Sequence, residues 1–226
     1  MSDLLREVDE EIRRERYMRL WDRFGIYVVG AALLVVIGVA GWRGLEWYQA
    51  REAAKSGAQF EAALRLATDG KGAEAEAAFN ELSKDASGGY RTLARFRAAA
   101  EAAKTDPKAG AAAYDALAAD NSLEPALRDI ARLHAGYLLV DTATVAEMTG
   151  RMAPLQSPAA SFRHSANELV GLAHYRAGEF DAAQKIFAAI AGDADVPPSM
   201  RQRMQMMNAL VAGQAAGGVA AAPVTQ

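Results

Sequence analysis

Apolar residues recur along most of this chain at three- and four-residue spacing, and once, near the start, they run unbroken. Phe24 to Trp42 (FGIYVVGAALLVVIGVAGW) carries no charge and is fenced by Arg23 and Arg43. At ~1.5 Å per residue that run is about 28 Å of helix, close to the roughly 30 Å hydrocarbon thickness of a bilayer. After residue 50 the pattern changes: alanine dominates, β-branched residues are scarce, and apolar positions fall as in Phe60, Leu64, Ala67 and in Leu127, Ile130, Leu133, Tyr137. That spacing is helical, and strand-like alternation is missing. The chain reads as all-α, with one transmembrane helix followed by a helical domain.

Breakers divide the helical part at short intervals: Gly70 and Gly72, Gly88-Gly89, Asp106-Pro107, Asn121-Ser122, Asp141, Pro154 and Pro158, Gly178, and Gly192 through Pro197-Pro198. Pieces of this length predict packed helical hairpins. In the second helix of each pair an aromatic precedes a large aliphatic by three residues: Phe79 and Leu82, Tyr114 and Leu117, Phe187 and Ile190. The first interval is 35 residues and the second 73, about twice the ~34-residue tetratricopeptide period. A repeat with a degenerate second helix fills the gap, from Ala126 to Val140 and Thr144 to Met152, with bulk from Tyr137 and Met148.

The best match to that repeat is Leu169 to Ile190 (LVGLAHYRAGEFDAAQKIFAAI). Gly171 permits close helix approach, Gly178 makes the turn, Phe180 packs at the start of the second helix, Ala183 fits the crossing and Phe187 fills the inter-repeat core. Gly70, Ala75, Phe79 and Leu82 echo this pattern, and Gly110 keeps the small position loosely. A non-repetitive alanine-rich bundle is the competing architecture, and it too is all-α.

Charge sets the orientation. Arg13, Arg14, Arg16, Arg19 and Arg23 precede the span, against Arg43, Arg51 and Lys55 after it, which predicts a cytoplasmic N-terminus and a helical domain across the membrane. Trp21 and Phe24 on one side, and Trp42, Trp47 and Tyr48 on the other, supply interfacial anchors. A cleaved signal peptide is the alternative, although its apolar region is usually ~7–15 residues and Val39-Ala40-Gly41 fits a cleavage site poorly. The predicted map is a cytoplasmic amphipathic lead at 1–23, the span at 24–42, a tetratricopeptide-like solenoid at 43–212 and a disordered tail at 213–226.

Composition and chemistry narrow the function. A net charge of −3 gives no field for nucleic acid, and the lack of cysteine removes disulfides and thiol chemistry while suiting the periplasm. His134, His164 and His174 fall in separate helical segments, and neither HExxH, a nucleophile elbow nor a phosphate-binding glycine loop occurs. Asp9-Glu10-Glu11 and Glu74 with Glu76 read as solvated faces. The chain reads as a non-enzyme without a cofactor, its partners being proteins and the lipid bilayer.

Three stretches are candidate contact surfaces. Met200, Met204 and Met207 share one helix face, suited to capping the solenoid, to a yielding partner groove, or by ligand softness to Cu(I). Leu4, Leu5, Val8 and Ile12 make an apolar stripe, so the lead lies on the cytoplasmic membrane surface, docks to a partner, or extends the anchor helix into solvent. Gly30 supplies a further small position in the span, and Gly38, Ala40, Gly41 and Gly44 offer close approach to a partner helix.

The acidic-basic opening DLLREVDEEIRRERYMRLWDRFG, the exit GWRGLEWYQ and the alanine-rich repeats that follow resemble the YfgM-like ancillary subunit family of the Sec translocon, from about residue 3 to 215. The resemblance implies a single-pass protein of the bacterial inner membrane with a periplasmic domain. Its implied partners are integral membrane channel subunits and a periplasmic chaperone, and its implied role is an accessory scaffold for exported proteins. An accessory subunit of a respiratory or other bioenergetic membrane complex fits the same architecture. A membrane-bound hydrolase with a dispersed site would require an essential polar residue, for which the sequence offers no candidate.

Overall fold

The computed structural model describes the backbone of residues 2–86 and 88–220, and the side chains of 18, 21, 23–27, 29–86 and 88–214. The apolar stripe of the lead, with its arginines at 13, 14, 16 and 19, lies outside the described side chains. Two compact units, Met1–Lys55 and Ser56–Gln226, divide the chain.

In the first unit the backbone is one uninterrupted helix, the N-terminal part of α1 (Ser2–Thr68). It has no break at Arg23, Phe24, Trp42 or Arg43, and the 2–23 backbone adopts the helix-extension geometry. Within it lies a segment long and apolar enough to cross a membrane, with mean hydropathy 2.4 over its best window. The large side chains from Phe24 to Val39 are exposed wherever they are described. From the end of that apolar segment onward, Trp42 Nε1 donates to Glu46 at 3.1 Å, Arg43 reaches the same carboxylate at 3.2 Å, and the Arg51 guanidinium sits 5.3 Å from the Trp47 ring. Such aromatic and cationic pairs suit a membrane–water boundary.

The second unit is all-α among the described residues, with no strand. The tail of α1 leads into α2 (Gly72–Asp85), α3 (Gly89–Thr105), α4 (Pro107–Ala119), α5 (Pro125–Leu139), α6 (Val145–Met152) with a 3₁₀ turn at Ala153–Leu155, α7 (Arg163–Arg176), α8 (Phe180–Gly192) and α9 (Pro198–Ala220). Each second helix packs on the first helix of the next hairpin, α2 on α3, α4 on α5, α6 on α7 and α8 on α9. The hairpins therefore form an A layer (the tail of α1, α3, α5 and α7, extended by α9) and a B layer (α2, α4, α6, α8), the arrangement of a helical-repeat solenoid.

The repeat is written in the core. Each B helix buries residues at i, i+4 and i+7: Ala75, Phe79, Leu82; Gly110, Tyr114, Leu117; Met148, Met152, Leu155; Ala183, Phe187, Ile190. Each A helix supplies a small residue sixteen positions before the large one: Ala63, Ala98, Gly136 and Gly171, all buried. The reason is contact. A β-carbon on Gly171 would lie 2.6 Å from the Phe187 ring, and one on Gly136 would lie 2.8 Å from the Met152 methyl.

The third repeat is thus a true hairpin whose phase is kept by Met152, an unbranched side chain doing the aromatic's work. Tyr137, expected to supply its bulk, does not, because it stands outside the core at 44% exposure.

Two turn chemistries join A to B. In the first and fourth hairpins Gly70 (φ 79°) and Gly178 (φ 78°) close left-handed caps, with Lys71 N–H donating to Leu66 C=O and Glu179 N–H to His174 C=O, both at 2.9 Å. In the second, Asp106 caps α4 ahead of Pro107, and in the third Thr144 and Glu147 form a capping box. At the far end Met200, Met204 and Val211 of α9 cover Ile190 and Phe187, so the methionine face caps the solenoid. The α9 backbone continues to Ala220, past Gly213 where the sequence places the start of a disordered tail; residues 221–226 lie outside the described ones.

Candidate protein-binding surface

Of the sequence-predicted packing residues, Ala75, Phe79, Leu82, Tyr114, Leu117, Gly171, Ala183 and Phe187 are buried, Phe180 is half-buried against Tyr175, and Gly70 and Gly178 stand exposed in the turns. They build the scaffold and leave the surface to others. In the first unit Ala40 is exposed and open space surrounds Gly38, Gly41 and Gly44.

One face of the second unit differs from the rest. Its exposed large apolar side chains are Leu93 (52%), Tyr137 (44%), Met206 (60%) and Leu210 (46%), and all four belong to A-layer helices. Helical geometry aligns them with polar neighbours at i+3, i+4 and i+7: Leu93 and Arg97 on α3, Ile130, His134 and Tyr137 on α5, Ser165, Glu168 and Leu172 on α7, Arg203, Met206 and Leu210 on α9. On α3 Leu93 lies off the stripe of Ala94 and Ala98, which is buried with α2.

Electrostatics knit it together. Arg203 grips the buried Glu168 carboxylate with two hydrogen bonds, Nε to Oε1 at 2.7 Å and an Nη2 donor to Oε2 at 2.8 Å, and the pair raises the guanidinium pKa. Tyr137 sits beside both and beside the Ser165 hydroxyl; partial burial and the Glu168 charge push its phenol up. His134 stacks on Tyr114 with ring centroids 4.9 Å apart, and burial lowers its pKa. Arg97 is exposed and, among the described residues, has no ion-pair partner.

The B layer is smoother and richer in alanine. Between α4 and α6 two open clefts of about 420 and about 470 Å³ flank the Asp115–Arg151 ion pair, with Ala112, Ala119, Ala146 and Gly150 on their walls. A third, of about 320 Å³, lies against α7 and α8 where Arg163 bridges Asp193 and Asp195.

The histidines do not converge: His134 stacks, His164 lies 3.7 Å from Asp193, and His174 shares a 2.6 Å hydrogen bond with Glu179 at the fourth turn. Among the described residues no group of three or more His, Asp or Glu is placed to hold a metal. The apolar row itself escapes sequence reasoning, which follows the buried stripe; the legible clue is Leu93, an apolar residue out of phase with Ala94 and Ala98.

Two layers of helical hairpins, a repeated small-to-large core and an amphipathic face define a helical-repeat interaction protein, a non-catalytic fold. The family described as tetratricopeptide repeat-like domain matches residues 18–209, and the chain belongs to it. The match takes in the apolar segment 24–42 together with every hairpin. Among curated proteins and among solved structures, nothing matches.

Proposed function

We propose that this protein is a membrane-anchored scaffold, an accessory subunit of the Sec translocon whose span holds a periplasmic repeat domain beside the channel and whose A-layer face engages folding factors. The observation that carries this reading is the distribution of exposed large apolar side chains. They fall in two sets, one on α1 from Met18 to Tyr48, covering and flanking the 24–42 segment, and the other the A-layer row, and water is a poor neighbour for both. The first set asks for lipid, the second for protein.

The arginine-rich approach to the span supports a cytoplasmic N-terminus. Inclusion of the span in the family match supports an anchor retained in the mature chain over a cleaved leader. One anchor confines the search for a partner to two dimensions, so even weak contacts on the row act at high effective concentration.

The test is affinity purification of the full-length protein in a mild detergent, with the bound proteins and the intact mass identified. Channel subunits with periplasmic chaperones support the proposal. A one-to-one energy-transducing complex without channel subunits overturns it in favour of a bioenergetic accessory role, and a mass lacking the first forty or so residues, the length of a leader and its apolar core, overturns the anchor.

A further inference from the structure

We propose that Arg51 is a lipid-phosphate contact: stacked on Trp47 and flanked by Tyr48, it holds the headgroup of an anionic glycerophospholipid on the side of the membrane that carries the repeat domain. This rests on the reading of the protein as membrane-anchored and adds which lipid the anchor selects.

Helix geometry sets the height of the guanidinium. The uncharged run ends at Trp42, and α1 continues through it without a break. Trp47 stands about 7–8 Å further along the axis and the Arg51 α-carbon about 13 Å further, at ~1.5 Å per residue. Side chains on a helix lean toward its N-terminus, here back toward the membrane, and the Arg51 guanidinium lies 5.3 Å from the centre of the Trp47 ring. Its charge is thus carried down to the level of Trp47. The polar layer on each side of a ~30 Å hydrocarbon core is about 5–8 Å deep, so that level is where lipid headgroups lie.

Local charge makes the position a site for an anion. Arg51, Trp47 and Tyr48 are all exposed. One turn from Arg51 in either direction stand Trp47, Tyr48, Ala54 and Lys55, none of them acidic, and Glu52 points about 100° around the helix. The other arginine at this boundary, Arg43, is engaged by Glu46 at 3.2 Å, and Trp42 donates to that same carboxylate. Stacking on the indole covers one face of the Arg51 guanidinium and leaves its edge N–H groups to meet phosphate oxygens, with the Tyr48 hydroxyl as a further donor on the neighbouring row. A zwitterionic lipid brings its own cation beside the phosphate and gains little from a second one. An anionic headgroup gains most.

The test uses the full-length protein with Trp21→Phe and Trp42→Phe, so that Trp47 is the fluorophore beside the site. It is reconstituted in vesicles of phosphatidylcholine and phosphatidylglycerol in which one lipid or the other carries bromines near the headgroup end of its acyl chains. The ratio of the two quenching efficiencies at equal mole fraction reports which lipid sits beside Trp47. Phosphatidylglycerol should be favoured about fivefold, the worth of one basic residue at an anionic surface. Arg51→Gln should bring the ratio to about one, Arg51→Lys should keep only part of the preference because ammonium neither stacks nor forks in the same way, and Arg91→Gln, on exposed α3, should leave it unchanged. Equal quenching by both lipids, a preference that survives Arg51→Gln, or one that falls equally in Arg91→Gln overturns the proposal and leaves the anchor standing. A preference abolished by inorganic phosphate in the buffer also overturns it, in favour of a free-anion site. Absence of quenching by either lipid sinks the anchor reading itself.

Discussion

Glycine to alanine should have opposite signs at two positions in neighbouring B helices. Gly110 in α4 sits against Ala103 in α3, where a β-carbon would lie 2.4 Å from Ala103 Cβ, 2.6 Å from its Cα and 2.9 Å from its nitrogen. Two of those atoms are backbone, so no rotamer change makes room and the α3–α4 hairpin must open by about an ångström. Overpacking of this kind costs typically 1–3 kcal/mol, and a clash against backbone falls in the upper part of that range, about 2–3 kcal/mol, against a gain of about 1 kcal/mol for removing glycine from a helix. The net expectation for Gly110→Ala is a loss of about 1–2 kcal/mol.

Gly150, inside α6, has nothing within 4 Å of the same added atom, so Gly150→Ala keeps only the helix-propensity gain, at most about 1 kcal/mol. The assay is urea and thermal unfolding of the full-length protein in detergent, followed by circular dichroism. At about 2–4 °C per kcal/mol for a domain of this size, a difference of about 2–3 kcal/mol should set the two variants roughly 4–12 °C apart, one on each side of the parent. A Gly110→Ala protein as stable as the parent would refute the close-packing argument.

Other consequences follow from the same contacts. Phe187→Ala removes a fully buried ring against Gly171 and should cost about 3–5 kcal/mol, whereas Phe180→Ala, half-buried, should cost less than half as much in the same melts. Arg203→Ala strands the buried Glu168 carboxylate and should cost about 2 kcal/mol after allowing for the exposure of the arginine; adding Glu168→Gln should recover part of that loss, and strict additivity in a double-mutant cycle would contradict the coupling. Hydrogen bonds from the Ser122 hydroxyl and from Arg95 depress Asp120 from 3.8 to about 2. A carboxylate depressed in the folded state contributes stability above its unfolded pKa that is lost as pH falls, so the urea midpoint should drop between pH 4 and 2, and Asp120→Asn should flatten that window.

The sequence made the helices legible because their breakers are local chemistry. Gly70, Asp106-Pro107, Gly178 and Pro197-Pro198 all fall at observed helix ends, where left-handed caps and a proline at the first helical turn need those residue types. The repeat was half legible. Its aromatics, Phe79, Tyr114 and Phe187, are visible because size and spacing coincide, but in the third hairpin Met152 and Leu155 replace aromatic and aliphatic, and Leu155 falls in a 3₁₀ turn beyond the helix proper. Nothing in a linear pattern distinguishes Met152 from Met148 until Gly136 is seen to open the space that Met152 fills.

The binding row was least legible. Tyr137 continues the periodic stripe of Leu133, yet α5 is wedged between two hairpins, so Leu133 turns inward and Tyr137 outward. Which side of an A helix is left uncovered depends on its neighbours on both sides, and that is tertiary information.

Site-specific photocrosslinking in cells tests the central claim most directly. A photoreactive amino acid would be placed in turn at Leu93 and Leu210 on the A-layer row, at Ala77 and Ala112 on the B layer, and at Gly41 in the span. The account predicts crosslinks to periplasmic folding factors or exported proteins from the two A-layer positions, to a channel subunit from Gly41, and few from the B layer. Partners captured chiefly through Ala77 and Ala112, with Leu93 and Leu210 silent, would contradict it.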